Sequence, residues 1–480
     1  MEALSIKEIV KAVNGILING NEDTIITSVS TNSKEIHKDG LFVPIIGERV
    51  DAHNYINNAF ENGAAAVFTC REIKDIREDK NYIRVEDTLK SLQILASYYR
   101  DKFQIPVIGV TGSVGKTTTK EMIATVLESR YKVIKTAGNM NSQIGLPLMM
   151  FQINKTDEIA VIEMGMSEFG EMEILSAIAK PTIAVMTNIG VSHIAQLKTQ
   201  ENIRKEKLNI INEFNNSSIL YVNGNDKLLN EIHQYTEIPQ NTVTIDISEV
   251  TRNKLNQSLV YSYGTNKGCN YSASNINTVG NGTRFHYKSK NEMEEVELGV
   301  LGEHNVFNAV VALAIGEHFK VPLKDAKESL KAYRPIAMRG QIEEVRGIKI
   351  IDDTYNASPD SIKSGISMLL EMPLVKRRAA VLADVRELGE HSYQLHYEVG
   401  EFIAGKNIDL VVTIGVEAKA IVKAIENKDK KIQTASFDEN FDAIKYLKEY
   451  LQMGDAVLIK GSRGMHTEEI VKAIKEEIVS

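Results

Sequence analysis

The stretch IPVIGVTGSVGKTTTKEMIATVL, residues 105–127, runs from a short apolar segment through a glycine-rich turn into a segment of helical periodicity. That order, strand then glycine loop then helix, is the setting in which backbone N–H groups turn toward a phosphate. The following helix N-terminus then favours the anion. The strict pattern places four residues between its glycines before GK[ST]. Here Gly109 and Gly115 have five between them, with Gly112 inside. The physics survives the change of spacing. Gly112, Ser113, Gly115, Lys116, Thr117 and Thr118 are the candidate nucleotide contacts, with Lys116 as a point charge and the Thr117 hydroxyl as a Mg²⁺ ligand. The bland alternative is a strand-to-helix turn without a ligand, and GKTTT in this context argues against it.

Outward from that loop, YKVIKTA, EIAVIEMG and TIAVMTNIG are further apolar runs separated by helical segments such as EMEILSAIAK. Such alternation predicts a parallel sheet with helices on its faces. A β-rich stretch follows (SILYVNG, NTVTIDI, TRFHYKS, EEVELGVLG), and the helix HNVFNAVVALAIGEHF closes the segment. Beyond the KAYRPIAMRG turn region, KIIDD, RRAAVLADV, DLVVTIG, IQTASF and DAVLIKG repeat the rhythm as a second doubly wound unit. It holds no GxGxxG, so a dinucleotide reading lacks its fingerprint. Residues before the loop are mixed: a short helix (SIKEIVKAV), strand-like pieces (TSVSTNS, LFVPII, AAVFTC) and two more helices. The expectation is an α/β protein of three domains. These are a small mixed unit at 1–104, a P-loop ATPase-like parallel-sheet unit at 105–333, and a Rossmann-like unit at 334–480.

Composition agrees. The chain has 480 residues, 43% hydrophobic and 25% charged, as expected of a soluble globular protein of about three domains. Lys and Arg total 56 against 64 Asp and Glu, a net charge of −8, which disfavours a broad nucleic-acid surface. Cys70 and Cys269 form no CxxC pair, so neither a disulfide framework nor a zinc site is indicated. The N-terminus has no signal-peptide core, and no run of 18 apolar residues exists to span a membrane. A cytoplasmic protein without membrane insertion is the expectation.

Several side chains carry two readings. Glu163 ends an apolar strand at the edge where open α/β sheets bind ligands, and His193 follows another such strand. Alone, the first is a solvated cap and the second a hydrogen-bonded loop residue. Beside a phosphate loop, both become candidates for holding the cations that ATP chemistry needs. Asn305 and Asn308 begin a helix, where Asn is a common N-cap. Asp352 and Asp353 both end the KIIDD strand. The segment TQENIRKEKLNI reads as a solvated helix with Lys205 and Lys207 as surface charges.

The phosphate loop TGSVGKTTTK resembles that of the Mur ligases, the ATP-dependent amide ligases of peptidoglycan precursor synthesis. Other stretches match this family in order over nearly the whole chain: GNMNSQIGLPL (138–148), IEMG (162–165), TNIGVSH (187–193), GEHNVFNA (302–309), MRG (338–340), DDTYNASPDS (352–361) and KGSRGM (460–465). They are most similar to the branch that joins D-alanyl-D-alanine to UDP-MurNAc-tripeptide. The resemblance implies ATP and two Mg²⁺ ions as cofactors, those two substrates as partners, an acyl-phosphate intermediate, and a monomer. It implies Lys116, Glu163, His193 and Lys207 as catalytic. Thr117 and Glu163 would hold one cation and His193 a second, with Lys207 carbamylated as an oxygen ligand and Lys205 its competitor. Asn305 and Asn308 fall on the adenine side, and Arg339 and Asp353 reach the nucleotide from the last domain. Ser33, Asp51 and His53 are carried over to the uridine nucleotide, and Asn139, Asn141, Asn356 and Asp384 to the substrate side.

Departures fall on the substrate side. The family's TDSR is Thr31-Asn32-Ser33-Lys34 here, which removes a carboxylate and exchanges Arg for Lys, not equivalent at a bidentate site. Ser142 stands where GNxNN has its last Asn, LGDM appears as Leu382-Ala383-Asp384-Val385, and the LGS after the metal His is Leu197-Lys198-Thr199. The rival readings are a paralogue with the same chemistry on another acid and amine, and a folylpolyglutamate-type ligase. The diaminopimelate-adding relative would want DNPR, which is absent. A P-loop GTPase would want strict loop spacing and NKxD, and neither is present. A non-catalytic nucleotide-binding scaffold fits poorly with intact Lys116, Glu163, His193 and Lys207.

Overall fold

The run IPVIGV forms the strand Val107–Thr111, buried along its whole length. Its alternate side chains serve two cores. Ile108 and Val110 face the helices Lys116–Leu127 and Glu303–His318, while Val107 turns to the opposite face with Ala160, Ile162 and Met186. Covering both faces of a parallel sheet is what makes its strands read as continuous apolar runs. A computed structural model describes residues 1–237 and 245–476.

Among the described residues the central sheet has nine strands. Val133–Lys135, Ile159–Glu163, Val107–Thr111, Ile183–Met186, Ile219–Asn223, Leu259–Gly264 and Tyr271–Val279 are parallel neighbours in that order. Gly282–Lys288 and Met293–Leu298 then extend it antiparallel. The strands Leu259–Gly264 and Tyr271–Val279 were not singled out by the sequence pattern, because both are partly exposed and polar in composition. Of NTVTIDI, residues 241–244 lie outside the described residues, and 245–247 carry no regular structure.

The C-terminal unit holds a six-stranded sheet. Gln341–Val345 pairs antiparallel with Ile348–Asp352, and Asp455–Lys460, Arg377–Ala383, Leu410–Ile414 and Gln433–Phe437 follow in parallel. The N-terminal unit has a five-stranded mixed sheet and a two-stranded ribbon. Its helix Thr88–Arg100, capped by the Asp87 carboxylate accepting from Lys90 N, lies against the central unit. There Tyr99 Oη donates to Ile153 O at 2.7 Å, and the buried Arg100 donates to Ala179 O, Phe103 O and Ile105 O at 2.6–3.1 Å. No helix among the described residues is long and apolar enough to cross a membrane.

One local reading is corrected. The helix Gln200–Leu208 is not a solvated one: Ile203, Arg204, Glu206, Lys207 and Leu208 are all buried. Glu206 reaches across to accept from Met172 N at 2.9 Å, which fixes the helix against Glu171–Ala179. Tertiary packing buries charged residues that a sequence pattern assigns to solvent.

Candidate active site

The strand Val107–Thr111 pairs with Ile159–Glu163 on one side and with Ile183–Met186, later in the chain, on the other. Strand order reverses there, so a crevice opens at the carboxyl ends. Gly112 begins the loop at φ +150, and a Cβ on it would stand 1.9 Å from Thr187 Oγ1, so only glycine fits. Gly115, left-handed at φ +85, caps the helix Lys116–Leu127. Neighbouring strands brace the loop: Ser113 N donates to Asn188 O at 3.0 Å, Val114 N to Asn188 Oδ1 at 2.9 Å, and Gly190 N to Ser113 Oγ at 2.9 Å.

Lys116 folds over this cradle, its Nζ donating to Gly112 O at 2.7 Å. Burial pushes the pKa of its ammonium down; the charge of Glu163 opposes that shift and the charge of Arg339 adds to it. Glu163 is the last residue of its strand and only 3% exposed. Its Oε1 accepts from Asn141 Nδ2 at 2.7 Å, whereas its Oε2 is buried with no partner among the described residues. A buried carboxylate oxygen left unpaired is costly unless something completes it.

These groups line a cleft of about 390 Å³ between the central and C-terminal units. Ser113, Gly115, Thr117, Thr118, Asn139 and His193 border it from the central unit. Arg339, Asp353, Asn356 and Lys460 border it from the C-terminal one. Arg339 stacks with its Cζ 3.8 Å from the Tyr355 ring centroid, and its Nε is buried without a partner among the described residues. Of the two strand-end acids, Asp352 accepts from Thr354 N and Oγ1, while Asp353 faces the cleft and pairs with Lys460 Nζ at 2.5 Å.

Asn305 and Asn308 also border the cleft, and neither is the N-cap; Gly302 is. Asn308 accepts from Thr119 Oγ1 at 2.9 Å, and Asn305 donates to Leu301 O at 2.7 Å. Lys207 lies beneath the cleft, 1% exposed. Burial, with the nearby Lys116 charge, drives its pKa well below the usual lysine range, against the pull of Glu206. Lys205, by contrast, is only half-buried and pairs with Asp246 at 3.3 Å.

Other predicted residues stand apart. Asp384 is not on the cleft wall; its two oxygens accept from Val416 N at 3.2 Å and Ala418 N at 2.7 Å. In the N-terminal unit Asp51 touches His53 Nδ1 at 2.7 Å and Arg71 at 2.6 Å, and the buried Ser33 offers its carbonyl to Asn62 at 2.9 Å. The sequence reading gave no role to Lys460 or His304, although both lie inside quoted motifs. His304 borders the cleft, and burial with the Lys460 charge lowers its pKa to about 4.

Among the described residues no three His, Cys, Asp or Glu side chains converge on one point. That pattern suits Mg²⁺, which takes one or two carboxylates plus phosphate oxygens rather than an all-protein cage. The unpaired Glu163 Oε2 and the buried Thr117 hydroxyl are hard oxygen donors of the right kind. The site fits that ion.

Residues 110–316 match the Mur ligase middle domain, 338–463 the Mur ligase glutamate ligase domain, and 25–100 the Mur ligase family catalytic domain. UDP-N-acetylmuramoyl-tripeptide–D-alanyl-D-alanine ligase of Bacillus subtilis is 37% identical over 478 residues, covering 99% of both chains. Among solved structures, MurF from Acinetobacter baumannii superposes with a TM-score of 0.88 at 26% identity, over 99% of this chain and 100% of its own. MurF ligase from Thermotoga maritima in complex with ADP gives 0.80 at 30% identity, over 94% and 97%. Similarity of this extent, running end to end with the three domain matches in order, shows that the chain belongs to the Mur ligase family.

Proposed function

We propose that the chain is the ATP-dependent ligase that joins D-alanyl-D-alanine to UDP-N-acetylmuramoyl-tripeptide in peptidoglycan precursor synthesis. The observation that carries this reading is the end-to-end similarity to the Bacillus subtilis ligase of that name. The tripeptide's terminal carboxylate takes the γ-phosphoryl group, giving an acyl phosphate and ADP. The D-alanyl-D-alanine amine then attacks that carbonyl carbon; the amide bond forms, the C–O bond to phosphate breaks, and the amine gives up its proton.

The residues divide this work. The loop N–H groups of Gly115 and Thr118 cradle phosphate oxygens with Ser113 bordering them, and Lys116 offsets charge as the γ-phosphoryl group transfers. Thr117 and Glu163 would hold a Mg²⁺ ion, and His193 would help hold a second. When bound, these ions offset the negative charge of the phosphates. Arg339, already stacked on Tyr355, presents a planar fork suited to a γ-phosphate. Asp353 anchors Lys460 on the same wall, and Asn305 and Asn308 form the adenine side. Asn139, Asn141 and Asn356 take the substrate side, with Ser33, Asp51 and His53 on the uridine nucleotide, while Asp384, expected on the substrate side, serves as scaffold with both oxygens held by Val416 and Ala418 N–H groups. Docked units exclude water, which would otherwise hydrolyse the acyl phosphate.

For Lys207 we propose carbamylation. Burial, which lowers the pKa of Lys207, favours the neutral amine whose lone pair adds to CO₂, forming an N–C bond and releasing one proton. The product is an anionic oxygen donor in place of a cation. The substrates, ATP and a UDP-sugar peptide, argue for a cytoplasmic location.

The test is phosphate release from ATP and Mg²⁺ with each substrate supplied singly, together or not at all. Release that needs both, with the pentapeptide product seen by mass, is the expected result. Release without the dipeptide, or with a different acid and amine only, overturns the reading in favour of a paralogue.

A further inference from the structure

The carboxylate of Glu387, in the C-terminal unit, lies 2.9 Å from Nδ1 of His193 in the central unit. Both residues hold left-handed backbone, at φ +66 and φ +63. Positive φ is uncommon outside glycine, more so for Glu than for His, and such strain persists where the surroundings over-determine it, often at functional sites. The junction around them is tight. A Cβ on Gly389 would lie 3.0 Å from Ala195 Cβ, and one on Gly190 would lie 2.2 Å from Asp360 Oδ2. The loop from Gly190 to Ala195 is thus gripped from the C-terminal unit at three points. Only Glu387 touches a side chain assigned above to a cation.

We infer that Glu387 is a positioning residue: it holds the His193 ring by Nδ1, leaves Nε2 free for a cation, and so couples cation binding to docking of the C-terminal unit. Histidines that ligate metals commonly offer their other ring N–H to a carboxylate, which fixes the tautomer and raises ligand basicity. The contact is out of line for a hydrogen bond in the ligand-free protein. Apo contacts of this sort tighten when ligands arrive. What sets this pair apart is that the carboxylate and the imidazole belong to different domains. The ring is held only while the domains are docked. By linkage, a cation on His193 then strengthens docking by the same factor that docking strengthens the cation. This inference rests on the reading of His193 as a cation-side residue.

The experiment measures Mn²⁺ binding by electron paramagnetic resonance on the full-length protein with a non-hydrolysable ATP analogue. Small-angle scattering reads compaction on the same samples. Glu387 is more than half exposed, so truncating it leaves the core intact, and a melting curve checks this. Glu387→Ala is expected to weaken the Mn²⁺ site roughly 10–100-fold and to abolish the Mn²⁺-dependent compaction. Glu387→Gln, which keeps an acceptor oxygen, recovers part of both, and Glu390→Ala on the same turn changes neither. If Glu387→Ala binds Mn²⁺ and compacts like the parent while His193→Ala has lost the site, the coupling is refuted and the reading of His193 stands. If His193→Ala itself binds like the parent, both fall together.

Discussion

At the carboxyl edge of the central sheet Glu163 keeps one oxygen without a partner, and Lys207 lies buried with no carboxylate in salt-bridge reach among the described residues. At the carboxyl edge of the C-terminal sheet, Lys460 is paired with Asp353, and Asp384 has both oxygens occupied by backbone N–H groups. The two sheets share a construction, parallel strands with helices around them, and differ in what they leave open. A fold satisfies its own buried charges where they serve structure, and leaves them unmet where a ligand is to complete them. The phosphate edge leaves more open, and the C-terminal edge, apart from Arg339 whose Nε has no partner among the described residues, is the satisfied wall brought against it.

Glu163→Gln tests that contrast most severely. It is expected to lower the ligation rate by about a hundredfold to a thousandfold, the scale for losing one charged group at a phosphoryl-transfer site. The same substitution leaves the melting temperature of the ligand-free protein unchanged or raises it, because it removes an unpaired buried charge. A clear fall in melting temperature would show Oε2 to be structurally satisfied and would break the comparison.

Lys207→Ala comes next. Activity is expected to fall roughly a hundredfold, on the scale of one electrostatic contact, and to return in part when short carboxylic acids are added. Full activity in Lys207→Ala removes the carbamate proposal, whatever the acids do.

Asp384→Asn sharpens the other side. One charge-assisted acceptor is weakened, so the unfolding free energy in a denaturant titration is expected to drop by about 1.5–3 kcal/mol. The accompanying loss of ligation is expected to be less than the Glu163 loss. A larger activity loss at unchanged stability would move Asp384 from scaffold to substrate contact.

A last effect, confined to acid, concerns pH. His304 stands between the two edges with a pKa lowered to about 4 from an ordinary 6.5. Between those values the unfolded chain takes up a proton that the folded one refuses, so stability falls as the pH drops through that window. His304→Gln is expected to flatten this part of the acid limb in a denaturant series; an unchanged slope assigns it to other groups.

Much of this was legible in the sequence. The apolar runs, the glycine loop and the alternation with helices specify a parallel sheet because each element's period is set by local geometry. The phosphate loop is readable because its glycines answer to backbone need, as the contact between Gly112 and Thr187 shows. Lys207 was readable as a motif position but not as a buried residue, since its helix has few apolar residues and is covered by distant packing. Lys460 and His304 lay inside recognised stretches without a visible role, because their partners, Asp353 and the cleft itself, are brought together only by the third domain. Glu387 gave no sequence signal, for its contact joins residues nearly two hundred positions apart.

The buried Arg100, which ties the end of the first unit to the carbonyls of Ala179 and Ile105 across its junction with the second, bears on how the molecule melts. Unfolding the first unit alone would take the guanidinium away and leave those carbonyls without their donors beside newly bared apolar surface. Topology counts three units, but the first two should lose their structure together. A calorimetric scan of the ligand-free protein is then expected to resolve two cooperative transitions, the C-terminal unit by itself and the other two as one.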